Sequence, residues 1–165
     1  MTLGGIFRPG MRGYFVPLGA GLVLAASAFL PWVVVDGIAH RGVPDMAALW
    51  IAGLGALAAV LAFLSLLTRR NSRHPLLIVG LAALGIMFLS WRIMPRMAGE
   101  RALTMAQARV IVGSARETAA PVAAAGLGIY LGMGASAVLV GFGLTIVIAR
   151  VQQTRIVVDQ DDDVE

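Results

Sequence analysis

Residues 46–68 read MAALWIAGLGALAAVLAFLSLLT, a run without a charged side chain, an amide or a histidine. An α-helix rises about 1.5 Å per residue, so a stretch of this length crosses the roughly 30 Å hydrocarbon core of a bilayer. In water the same helix would have no polar face to turn outward. Upstream, 13–35 (GYFVPLGAGLVLAASAFLPWVVV) is again free of charge. Ala26-Ser27-Ala28 has the look of a signal-peptidase site, but the apolar run continues through Phe29, Trp32 and Val35, which reads as a span and not as a cleaved leader. Downstream, Pro75 suits the first turn of a third helix, which reaches spanning length when Arg92 snorkels to the interface. The fourth block, 119–149, is longer than a span needs, so part of it tilts or projects. The expectation is an all-α fold: a bundle of four transmembrane helices at about 14–35, 46–68, 75–94 and 119–149. They form one membrane domain over 1–150, with an outer loop at 95–118 and a polar, acidic tail at 151–165.

The composition agrees with this reading. Apolar residues make up 59% of the 165 positions, above the roughly 45–50% of soluble domains, and the mean hydropathy is +0.86. With no cysteine, the chain has no disulfide, thiolate metal site or thiol nucleophile. All 13 basic residues are arginine. Without lysine there is no Schiff-base chemistry and no phosphate-binding loop of the lysine type. The arginines flank the apolar blocks instead of forming one basic patch, so they mark a membrane topology and not a nucleic-acid surface.

Arginine placement also sets the orientation. Arg8 and Arg12 precede the first block, Arg41 follows it, and Arg69, Arg70 and Arg73 follow the second. Positive residues collect on the cytoplasmic side, so both termini are expected there, in a bacterial inner membrane. The loop 95–118 then faces out, although it carries Arg96, Arg101, Arg109 and Arg116. Because it runs against the rule, these four arginines are the candidate partner contacts. Within the loop, 100–112 reads as a short surface helix with Leu103, Ala106 and Val110 on one face; a strand with Leu103, Met105 and Gln107 on one side is the alternative. Trp32 and Trp91, with Arg92, are expected as membrane-interface anchors. Phe29-Leu30-Pro31-Trp32 and Phe88-Leu89-Ser90-Trp91 look alike. Convergent anchoring explains the likeness, with a duplicated hairpin as the alternative.

The blocks, the third taken as 76–91, carry no Asp, Glu, His, Lys or Arg, the groups that proton and ion pathways place at bilayer depth. Their hydroxyls, such as Ser27, Ser65, Ser90 and Ser136, are expected to bond back to the helix backbone. His40 and His74 fall on opposite sides and share no metal site. Ligation of a pigment or haem at the membrane edge by one of them is a weak alternative to two solvated histidines, and otherwise no cofactor is expected. Asp36, His40 and Asp45 share one polar turn, but Asp36-Gly37 is turn chemistry and Asp45 suits a helix N-cap. Small residues recur at spacing four, in Gly128, Gly132 and Ser136 and in Gly55 and Ala59. Such faces let helices approach closely in lipid, either inside this bundle or against another subunit.

The layout, with Pro31-Trp32 at the first outer interface and Gly126-Leu127-Gly128-Ile129-Tyr130-Leu131 opening the fourth helix, resembles small bacterial tetraspan membrane proteins, including the tryptophan-associated transmembrane proteins of actinobacteria. Claudins share a four-helix plan with a tryptophan after the first helix, but their first outer loop is long and carries a cysteine pair, so a junction role does not carry over. The resemblance and the residues together imply a non-catalytic accessory or scaffold subunit of a larger membrane complex, its partners being lipids and other integral membrane subunits. A small transporter or lipid-handling protein is the alternative. An enzyme is disfavoured.

Overall fold

The computed structural model describes residues 12–68, 73–113 and 122–161. After a 3-10 turn at Arg12–Tyr14, the elements are α1 (Phe15–Ser27), β1 (Pro31–Val35), β2 (Ile38–Arg41), α2 (Met46–Thr68), α3 (Arg73–Ile111), β3 (Ala123–Ala125) and α4 (Leu127–Asp161). Three helices are long and apolar enough to cross a membrane: α2, α3 and the 127–145 part of α4. At 13 residues, α1 is about 20 Å long, shorter than the hydrocarbon core.

The first expected span, 14–35, is therefore corrected. Helix α1 ends at Ser27, and its last stretch becomes strand β1. Pro31 has no N–H to give a helix and pushes the residue before it out of the α region. The following Val33-Val34-Val35 are β-branched and favour a pleated surface. Asp36 and Gly37 both take positive φ, 50° and 80°, and Val35 pairs with Ile38. That is a two-residue hairpin turn whose backbone an Asp-Gly pair readily supplies.

The fourth expected helix, 119–149, is corrected at its start. Ala123–Ala125 join the other edge of β1, giving the order β2-β1-β3 with both pairings antiparallel. The seam is closed at both ends. Asp36 N–H donates to the Val122 carbonyl and the Asp36 carboxylate accepts the Val122 N–H, each at 3.1 Å. At the other end Gly126 N–H donates to the Trp32 carbonyl at 2.7 Å. A Cβ on Gly126 would run into the Pro31 carbonyl oxygen, so only glycine lets α4 start this close to β1. At its far end the backbone of α4 stays helical to Asp161, past the boundary at 150 where the acidic tail was expected to begin.

The largest departure is α3. The loop expected over 95–118 is helix as far as Ile111, continuous with the third span and 39 residues in all. That is about 58 Å, nearly twice the hydrocarbon thickness. The strand alternative for 100–112 is excluded. Pro95 lies inside the helix, where it removes one backbone hydrogen bond. It lies between the exposed Arg92 and Arg96, where the sequence of the helix turns from apolar to polar.

Small residues share the helix contacts with Leu24, Ile51, Leu76, Met87, Ile129 and Leu139, and many other large residues face outward. Ala48, Ala58, Ala62, Ala83, Ser27, Ser65 and Ser136 are buried, while Leu22, Phe63, Ile78 and Phe88 are at least half exposed. A bundle in water rarely leaves so much apolar surface open; in lipid, tight approach of small residues is what holds helices together. Gly21 and Ala25 on α1 face Gly55 and Ala59 on α2. A Cβ on Gly21 would stand 2.7 Å from the Ala59 nitrogen, and one on Gly55 2.8 Å from Ala25 Cα. Between α3 and α4, Gly80 abuts Leu139 and Val140, and Gly143 abuts Leu77.

Candidate functional site

Above the bundle, the sheet and the projecting part of α3 enclose a cleft. In the β1–β2 pair Val33 lies opposite His40, and in the β1–β3 pair Val35 lies opposite Ala123. Directly opposed residues share a face. That face meets α3, where a Cβ on Gly99 would stand 3.6 Å from Ala123 Cβ. On α3, Met94, Met97, Ala98, Arg101 and Met105 recur at helical spacing and line one side. Val33 and Val35 form the floor, and His40 and Asp45 the other side. The cleft has a volume of about 510 Å³, within the usual range for small-molecule sites.

Asp45 is fixed by its place in the chain. Its carbonyl accepts the N–H of Leu49 at 3.0 Å and its own N–H donates to Gly42 at 2.9 Å, so it occupies the N-cap position of α2, as expected. His40, Asp45 and Arg101 are all exposed. They present one cation, one anion and one imidazole above a wall of methionine and valine. Methionine is flexible and adapts to irregular apolar shapes. The arrangement can hold an amphiphile: polar groups at the rim, hydrocarbon on the wall. No group of three His, Cys, Asp or Glu among the described residues is placed to hold a metal ion. His74, on the exposed first turn of α3, lies at the opposite end of the span from His40.

No family model matches this chain, and no curated protein or solved structure is significantly similar to it.

The tryptophans redistribute. Trp32, expected as an interface anchor, is 1% exposed, so it does not belong to a lipid-facing aromatic belt. Its Nε1–H donates to the Ser27 carbonyl at 2.9 Å, and a Cβ on either Gly42 or Gly128 would stand 2.7 Å from its ring. Trp91 is half-buried and tilted against Phe88, with ring centroids 6.0 Å apart. The two look-alike motifs thus end in different structures, a strand and mid-helix. The tryptophan that does lie open is Trp50, 64% exposed on the second turn of α2, where aromatic belts sit. The sequence signal was present: Trp50 follows the polar turn 36–45 by five residues, and Trp32 precedes it by four.

The four candidate partner arginines do not form one patch. Arg92 and Arg96, both exposed, line a shallow groove on the β3 side with Trp91, Pro95 and Tyr130. Arg101 faces the cleft. Arg109 lies two turns further along the helix and is exposed. Arg116 lies outside the described residues. A helix turns about 100° per residue, so Arg96 and Arg101 point well apart.

The small-residue faces are used within the chain. A Cβ on Gly132 would collide with the Met87 side chain and stand 2.9 Å from Ser27 Oγ, and Ser136 is fully buried. The hydroxyls of Ser27, Ser65 and Ser136 donate to the carbonyls of Leu24, Leu61 and Met133 at 2.7–2.9 Å. At the other end Arg73 Nη1 donates to Thr145 Oγ1 at 3.5 Å and its guanidinium lies 5.5 Å from the Phe142 ring centroid, tying the start of α3 to α4.

Proposed function

We propose that this chain is a four-span protein of a bacterial inner membrane, with both termini cytoplasmic, acting as a non-catalytic accessory or scaffold subunit of a larger complex. The observation that carries the proposal is the projecting helix. From Arg92 to Ile111 it extends about 30 Å beyond the apolar zone, and along it Leu103 and Val110 share one face and are exposed, beside Ile111 at 85%. An apolar stripe beyond the spans that the other described residues leave uncovered supports a protein contact there. The short α1 completes the bundle as a fourth span by packing its glycine face into α2, with the preceding 3-10 turn adding to its length. A transport role is less favoured, because the buried Ser27, Ser65 and Ser136 already give their hydroxyls to backbone carbonyls.

Native mass analysis after gentle extraction tests the subunit role: a stoichiometric heteromer is expected, and the substitution Leu103→Asp is expected to weaken it by about tenfold, the effect of burying one unpaired charge at an interface. Recovery only as a monomer or homo-oligomer would refute the reading. Topology is tested separately, and the absence of cysteine makes this direct. Gln107→Cys should react with an impermeant maleimide in spheroplasts, and Thr68→Cys only after the membrane is opened. The reverse pattern would invert the orientation.

A further inference from the structure

We propose that the cleft between the sheet and α3 binds the head group of an aminophospholipid, a phosphoethanolamine type, with the start of its acyl chains against the methionine wall. The inference rests on the membrane placement proposed above and is independent of the accessory role. Depth is the first argument. Asp45 stands one turn above Trp50 at the start of α2, and an exposed tryptophan at a helix end sits at head-group level. Charge is the second. Arg101 on one wall and Asp45 on the other give the cleft one positive and one negative group, the complement of a phosphate diester carrying an ammonium. A guanidinium matches phosphate geometry with paired donors, and a carboxylate accepts the N–H groups of a primary ammonium. Shape is the third. Val33, Met94 and Met97 continue the polar rim into an apolar surface, which a free phosphate or a soluble amine has no means to use.

The same features set the selectivity. Phosphatidylglycerol offers no cation to Asp45 and meets its negative charge. Phosphatidylcholine offers a cation that cannot donate a hydrogen bond. Losing one charge-assisted hydrogen bond corresponds to about tenfold in affinity.

The test uses the full chain in mild detergent, titrated with phosphatidylethanolamine, phosphatidylglycerol and phosphatidylcholine of identical acyl chains and read by native mass spectrometry. Phosphatidylethanolamine should be retained about tenfold more strongly than either competitor. Arg101→Gln should abolish retention of both phosphate-bearing competitors along with it, and Asp45→Asn, in which asparagine still suits a helix N-cap, should shift the preference to phosphatidylglycerol. Glycerophosphoethanolamine, the head group without acyl chains, should not displace the lipid. Equal retention of the three lipids, wild-type selectivity in both variants, or full displacement by the soluble head group would each overturn the proposal. A wrong orientation would instead appear in the maleimide pattern and leave these lipid results intact.

Discussion

Replacing Trp32 with alanine is expected to destabilise the protein by about 3–5 kcal/mol, the range for emptying a buried aromatic site. The reason lies in where the ring sits. Trp32 is a fully buried aromatic lodged between the end of α1, the return of the chain at Gly42 and the start of α4. Its indole N–H donates to the Ser27 carbonyl at the end of α1, and its ring fills the space that Gly42 and Gly128 leave open. Alanine would leave a cavity and remove one of the two hydrogen bonds to the Ser27 carbonyl, which keeps the Leu30 N–H at 3.2 Å. Unfolding in mixed detergent micelles measures the loss. Trp50→Ala is the control, since an exposed side chain contributes little to packing, and it should stay within about 0.5 kcal/mol of wild type. If the two substitutions cost the same, Trp32 is not the pin between sheet and bundle.

Gly55→Leu should be comparably severe, about 3 kcal/mol or more, because the new side chain meets backbone and not a movable side chain. Its Cβ would run into the nitrogen of Ala25, with the Gly21 carbonyl 2.8 Å away. The pair α1–α2 has to separate, and α1 is the partner least able to hold its place in lipid alone, being only 13 residues long. Gly53→Leu, two residues away on the same helix, is the matched comparison: nothing lies within 4 Å of a Cβ there. It should leave the unfolding midpoint unchanged or raise it, since glycine in a helix interior costs up to about 1 kcal/mol relative to alanine.

These two sites show what the sequence could and could not convey. The span α2 was legible to the residue, since 46–68 is apolar throughout and polar at both ends. The small-residue pair Gly55 and Ala59 was legible as an interface, but its counterpart Gly21 and Ala25 was recognisable only once α1 lay across it. Hydropathy missed β1, because Val33-Val34-Val35 are as apolar in a strand as in a span; the deciding signals were Pro31 and the Asp36-Gly37 turn. Ala123–Ala125 carry no strand propensity and become one only because β1 has an edge to fill. The reach of α3 was hidden by Pro95, which normally ends a helix and is tolerated at the level where the chain leaves lipid. For the cleft, Arg101 was legible as an outward-facing charge, and Asp45 as a cap. That they line the same cleft follows from the continuity of α3 and from the hairpin, neither of which periodicity revealed.

The sheet also imposes an order on biogenesis. Its central strand is synthesised long before its second neighbour: the Asp36–Val122 hydrogen bond joins residues 86 positions apart. At roughly 5–20 residues per second, β1 waits on the order of seconds with one edge unpaired while α2 and α3 are made and inserted. It can close only when β3 emerges directly ahead of the last helix. The head is thus a late checkpoint on insertion, and a ribosome stalled before Ala123 would leave an open β-edge at the membrane surface, the kind of template that quality-control proteases and aggregating strands recognise.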